Sequence, residues 1–105
     1  MTEHEQAARD LLPDARNDLD LTWEDERLDA KLTGILQRGM DYLDTVGGGA
    51  QDYGQQGLAR ALLMEYARYD LSGARSDFGR NYQAELLMLR MKQEVKDYVP
   101  DDADL

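Results

Sequence analysis

Apolar residues recur at helical spacing along most of this chain. Between residues 23 and 46, Leu28, Leu32, Ile35, Leu36, Leu43 and Val46 follow at spacings of 3, 4 and 7, the stripe of an amphipathic helix. Thr22 reads as its N-cap, with Asp25 three residues on and acids crowding the first turn, where they suit the exposed N–H groups and the dipole. Gly47, Gly48 and Gly49 end it, because three glycines supply a C-cap and cost too much entropy to continue a helix. A flexible loop is expected over 47–56, with Tyr53 its only large side chain.

The same pattern predicts three further helices. One runs from Glu3 to Leu19 with Leu11, Leu12, Ala15 and Leu19 on one side, and Pro13 is expected to kink or restart it. Another runs from Gly57 to Leu71 through Leu58, Leu62, Leu63, Tyr66 and Tyr69, and Ser72-Gly73 stops it. The last runs from Ser76 or Asp77 to Val99 through Phe78, Tyr82, Leu86, Leu89 and Val95, with Pro100 as the stop. Leu87, Met88 and Met91 widen its apolar face beyond what one-sided packing requires, so part of that face is expected to serve a partner. The expected core is Leu28, Leu32, Ile35, Leu36, Leu43, Leu62, Tyr66, Phe78, Tyr82, Leu86 and Leu89.

Composition sharpens the fold class. Leu (16) and Ala (11) dominate while Ile (1) and Val (3) are scarce, which favours helices over strands. At 105 residues the chain is expected to form one all-α domain, a small antiparallel bundle of about four helices. Its ordered core is placed at about 11–99 and a flexible acidic tail at 100–105.

Charge and chemistry narrow the function. The formal net charge is -10, concentrated at the two ends, with a nearly neutral, arginine-rich stretch between. There are no cysteines, so disulfides, thiolate metal sites and cysteine nucleophiles are excluded. The one histidine, His4, leaves no two-histidine metal motif and no Ser–His arrangement, so no catalytic residue and no cofactor is expected. Glu24, Asp25, Glu26 and Asp29 lack the spacing of a calcium loop. Glu65 is the best candidate for a buried carboxylate, paired with Arg68 or Arg90. The glycine run has no preceding strand and no following Gly-Lys-Ser/Thr, so it is not a phosphate cradle. No window approaches the ~20 apolar residues of a membrane span, and the acidic opening Met-Thr-Glu-His-Glu is unlike a signal peptide, so an intracellular, soluble protein is expected. Arg60, Arg75, Arg80 and Arg90 could meet acids such as Glu24 and Asp25 of a neighbouring copy.

Certain residues carry a family resemblance. The run Leu12-Pro13-Asp14-Ala15-Arg16-Asn17-Asp18-Leu19 stands before Thr22-Trp23, and Lys31-Leu32, Ile35 and Tyr42-Leu43-Asp44 follow. Leu62-Leu63, Tyr66 and Tyr69 come next, then Phe78, Asn81-Tyr82, Glu85-Leu86 and Leu89-Arg90. In order and spacing this resembles the head–tail connector (adaptor) proteins of long-tailed double-stranded DNA phages.

The resemblance implies a structural protein of the virion's head–tail interface, made in the host bacterial cytoplasm. It would join the portal protein after packaging, form a dodecameric ring with copies of itself, and meet the next connector or tail-completion protein. Double-stranded DNA would pass through the channel without being read. Carried over to this chain, Lys96, Asp97, Tyr98, Val99, Pro100, Asp101, Asp102 and Leu105 would contact the portal, and the loop of Gly47, Gly48, Gly49 and Tyr53 would build neighbour contacts or line the channel. The rival expectation is an acidic interaction protein or DNA mimic, whose carboxylates should cover one continuous surface.

Overall fold

The computed structural model describes residues 3–21 and 25–98. Among them lie five helices: α1 (Glu3–Asp18), α2 (Glu26–Gly47), α3 (Leu58–Leu71), α4 (Arg75–Asn81) and α5 (Gln83–Asp97). The fold is all-α. None of the described helices is long and apolar enough to cross a membrane.

α2 is the central element, with α1, α3 and α5 all packed on it. Its stripe is the core: Leu32, Ile35, Leu36, Met40 and Leu43 are completely buried, and each such side chain contributes about 1.5–3 kcal/mol of transfer free energy. α1 runs antiparallel to it. His4, Ala8, Leu11 and Ala15 recur at helical spacing along one face, and the fully buried alanines let the two helices approach closely. The core therefore begins earlier than residue 11, since Ala8 belongs to it.

At the far end of α1, Arg16 donates to Asp29 through two nitrogens, at 2.8 and 2.6 Å. A planar guanidinium fork on a carboxylate fixes orientation as well as distance. Arg68 of α3 donates to the Asp18 carbonyl at 3.1 Å, partnering one of the carbonyls that a helix end leaves without an intrahelical donor.

α3 crosses α2 at Gly39. A Cβ there would stand 2.7 Å from Leu63 Cδ1 and 2.8 Å from Tyr66 Cδ1, so the absent side chain sets the helix separation. Phe78 of α4 then closes the far side. It is 1% exposed, and its ring centroid lies 5.0–6.0 Å from those of Tyr42, Tyr66, Tyr69 and Tyr82, in edge-on and stacked arrangements.

Four expectations need correction. The last helix is two helices, because Tyr82 leaves helical geometry at φ -113 and ψ 24. The joint costs little: Tyr82 N–H still donates to the Phe78 carbonyl, and its own carbonyl still accepts from Leu86 N–H. α1 continues through Pro13 without a restart. Pro13 is exposed, so the ring and the carbonyl it leaves unpaired can face water. Asp25 is the N-cap of α2, its carboxylate accepting from Arg27 N–H at 2.9 Å. Thr22, expected in that role, lies outside the described residues. Finally, Leu28 is half-buried and outside the core cluster, next in the chain to Asp29, which takes the Arg16 guanidinium.

Candidate interaction surface

α5 has two apolar faces. At 100° per residue, Leu86, Leu89 and Gln93 project to one side, and Ala84, Leu87, Met88, Met91 and Val95 to the opposite side, with Tyr82 and Tyr98 as the two caps of the helix. The first side packs: Leu89 is buried, Leu86 and Tyr82 rest on the core cluster, and Gln93 lies against the glycine run. The second side does not. Leu87, Met88, Met91, Val95 and Tyr98 are between 50% and 76% exposed, and they are the large exposed apolar residues of the described chain. Apolar residues scattered singly over a surface need no explanation, but a continuous row of them along one helix is a candidate interaction surface.

The glycine run positions α5. Gly47 is the buried last residue of α2, and a Cβ on it would stand 3.1 Å from Leu89 Cδ2. Gly48 takes the left-handed conformation of a C-cap, φ 83. A Cβ on Gly49 would lie 2.9 Å from Gln93 Nε2. The run was expected to be a flexible linker, yet two of its three residues are seats for α5. Close approach of a helix that follows more than thirty residues later is what the local pattern could not reveal.

Tyr53 corrects a second expectation about this loop. It is 4% exposed and belongs to the core, so it presents no ring to a neighbour or a channel. Its hydroxyl donates to Asp44 Oδ1 at 2.6 Å and lies 3.1 Å from the Met40 carbonyl. Burial first, then the hydrogen bond and charge of Asp44, pushes its hydroxyl pKa well above the ordinary value. The loop is pinned by this contact and by Gln51 N–H donating to Asp44 Oδ1 at 3.1 Å.

Asp44 also holds His4. The ring's Nδ1 lies 2.6 Å from Asp41 Oδ1 and its Nε2 lies 2.8 Å from Asp44 Oδ2. Only the imidazolium donates to both carboxylates. Burial lowers the His4 pKa, but the hydrogen bonds and charges of Asp41 and Asp44 outweigh it and raise it above 6.5. The clamp ties the first turn of α1 to the last turns of α2, beside a cleft of about 410 Å³ that Asp14, Tyr53 and Arg60 also line. No group of His, Asp or Glu among the described residues is arranged to hold a metal ion.

A pH dependence follows from the clamp. The folded chain favours the imidazolium, so this contribution is complete below the unfolded value of 6.5 and fades as pH rises through the raised folded value. In paired melts of wild type and His4→Ala, the stability gap is expected to be about 1 kcal/mol near pH 5.5 and to shrink towards zero near pH 9. A gap that grows with pH would contradict the clamp.

Arg60 is turned inward, 14% exposed at its side chain, bonded to Asp14 at 2.6 Å and to the Gly54 carbonyl at 3.3 Å. Arg75 lies 4.0 Å from Asp70, Arg80 2.7 Å from Asp77 and Arg90 3.5 Å from Glu94, and all three are more than half exposed. Asp25 is committed to capping α2. Glu65 is a third exposed rather than buried; it pairs with Arg68 at 3.6 Å and accepts from the Tyr82 hydroxyl at 3.0 Å. Burial and then that carboxylate hold the Tyr82 pKa up at about 12. Lys96, Asp97 and Tyr98 end α5 in exposed positions, while Glu24, Val99, Pro100, Asp101, Asp102 and Leu105 lie outside the described residues.

No family model, curated protein or solved structure matches the chain.

Proposed function

We propose that this chain is a structural adaptor of the phage head–tail interface, docking on a portal ring through α5 and the C-terminal segment, and not an enzyme. The observation that carries this reading is the unpacked face of α5. Leu87, Met88, Met91, Val95 and Tyr98 form one row on an otherwise well-packed body. That row leads directly into the segment from Lys96 onward, to which the connector resemblance assigns portal contact. A second support is the distribution of ion pairs. Asp14, Asp29, Asp41, Asp44 and Asp70 are taken up by Arg60, Arg16, His4 and Arg38 within the chain. Carboxylates spent on holding the chain's own helices together are less suited to imitate the phosphates of DNA, which favours the adaptor over a DNA mimic.

The exposed arginines fit contacts between adjacent copies in a ring, where a planar fork meets a carboxylate. Among the described residues, Arg80 and Arg90 make only short-range pairs on their own helices, and such surface pairs are worth about 0.5 kcal/mol. Replacing both by Glu is expected to weaken ring assembly on the portal by about tenfold or more while monomer helicity is unchanged. Unchanged assembly in sedimentation would count against an arginine interface.

The reading itself is tested by co-sedimentation with purified portal rings encoded by the same phage genome. Stoichiometric binding supports it. Absence of binding to a competent portal, with tight binding to a DNA-handling enzyme instead, would replace it with the mimic.

A further inference from the structure

We infer that the free protein pairs with a second copy of itself through the exposed face of α5, the two helices antiparallel. The inference stands on the helix face and needs nothing from the connector reading. Ala84, Met88, Met91 and Val95 are separated by 4, 3 and 4 residues, the core spacing of a two-helix coiled coil. All four are exposed. The side chains that bind α5 to its own body, Leu86, Leu89 and Gln93, point the opposite way, so a second α5 can lie on the outer row with each body on the far side of its own helix.

Charge selects the orientation. Glu85 and Lys92 occupy equivalent positions one heptad apart on the same flank of the row, and neither has an ion-pair partner among the described residues. When Met88 faces the partner's Met91, an antiparallel two-fold pair brings Glu85 beside the partner's Lys92, and symmetry repeats the contact. Ala84 then meets the partner's Val95, a small residue against a larger one. A parallel pair would set Lys92 against the partner's Leu87 and leave Glu85 without a cation. The other flank, Leu87 and Glu94, has no such complement, because Glu94 is already paired with Arg90. The self-complementary flank therefore names a second copy as the occupant, with the portal and this pairing competing for one surface.

Sedimentation equilibrium of the full chain over a concentration series, at low salt, tests the inference. The wild type is expected to approach twice its 12.0 kDa mass. Glu85→Lys or Lys92→Glu alone should weaken pairing by about tenfold, since each places like charges together twice. The double exchange Glu85→Lys with Lys92→Glu should restore the wild-type constant, which a merely structural effect would not do. A wild-type chain that stays monomeric throughout, or a double exchange that fails to restore pairing, overturns the inference. Either result leaves portal binding to be judged by its own experiment.

Discussion

Exchanging Met88 and Met91 together for Glu is expected to abolish co-sedimentation with portal rings while, at concentrations low enough to keep the chain monomeric, the helical circular dichroism signal and the melting midpoint stay near those of the wild type. Both side chains are at least half exposed in the isolated chain, so charges there meet water and should change stability by no more than about 0.5 kcal/mol. At a docked interface the same carboxylates would be stripped of water without partners. That costs about 3 kcal/mol or more, which is more than a hundredfold in affinity. The contrast between unaffected folding and lost binding is the signature of an interaction face. A variant that binds portal normally would show that α5 is not the docking surface, and one that unfolds as a monomer would show that the face is packed within the chain itself.

The largest expected effect on folding is at Phe78. Its ring is 1% exposed and is the one that joins Tyr42, Tyr66, Tyr69 and Tyr82 into a single cluster. Phe78→Ala removes the packing of α4 and leaves a cavity among four rings, and such truncations cost about 3–5 kcal/mol. Domains of this size have only about 5–15 kcal/mol in total, so the variant should be near the limit of folding at ambient temperature. Urea melts compared with Arg80→Ala, a control on the exposed side of the same helix, measure the difference. A loss below about 1 kcal/mol would mean that the aromatic cluster does not hold α4 in place.

The sequence pattern already carried α2 and α3, because their apolar stripes recur at helical spacing and need no distant partner to be recognised, although the stripe read for α2 stepped over Met40, which is completely buried. It also carried part of the outer face of α5, which showed as an apolar excess at Leu87, Met88 and Met91; Val95, expected on the packed stripe with Leu86 and Leu89, stands on that outer face instead, 76% exposed, because the inner side of the helix passes through Gln93. What escaped it depends on contacts far along the chain. His4 meets carboxylates 37 and 40 residues away, and nothing near residue 4 signals a clamp. Tyr53 looked like a loop residue because its neighbours are Gly, Gln and Asp, yet its hydroxyl finds Asp44 and the Met40 carbonyl and its ring enters the core. The break at Tyr82 has no proline to announce it, and the one glycine near it, Gly79, lies inside α4 rather than at the joint; stacking of Tyr82 on Phe78, with centroids 5.0 Å apart, accompanies the change of direction. Gly47 and Gly49 read as punctuation, and their second role as seats for Leu89 and Gln93 appears only once α5 is laid across them. Local periodicity thus located the helices, and packing between them decided which apolar face is left outside.

These observations converge on one claim, that α5 is held by its inner face so that its outer face can dock. Electron microscopy of portal rings mixed with the full chain tests it most directly. The account predicts an added ring of small helical subunits with α5 against the portal, absent when Met88 and Met91 are both Glu. Portal rings that remain bare at saturating concentrations of folded chain, or an added ring whose contact is made by α1 with α5 facing solvent, would contradict it.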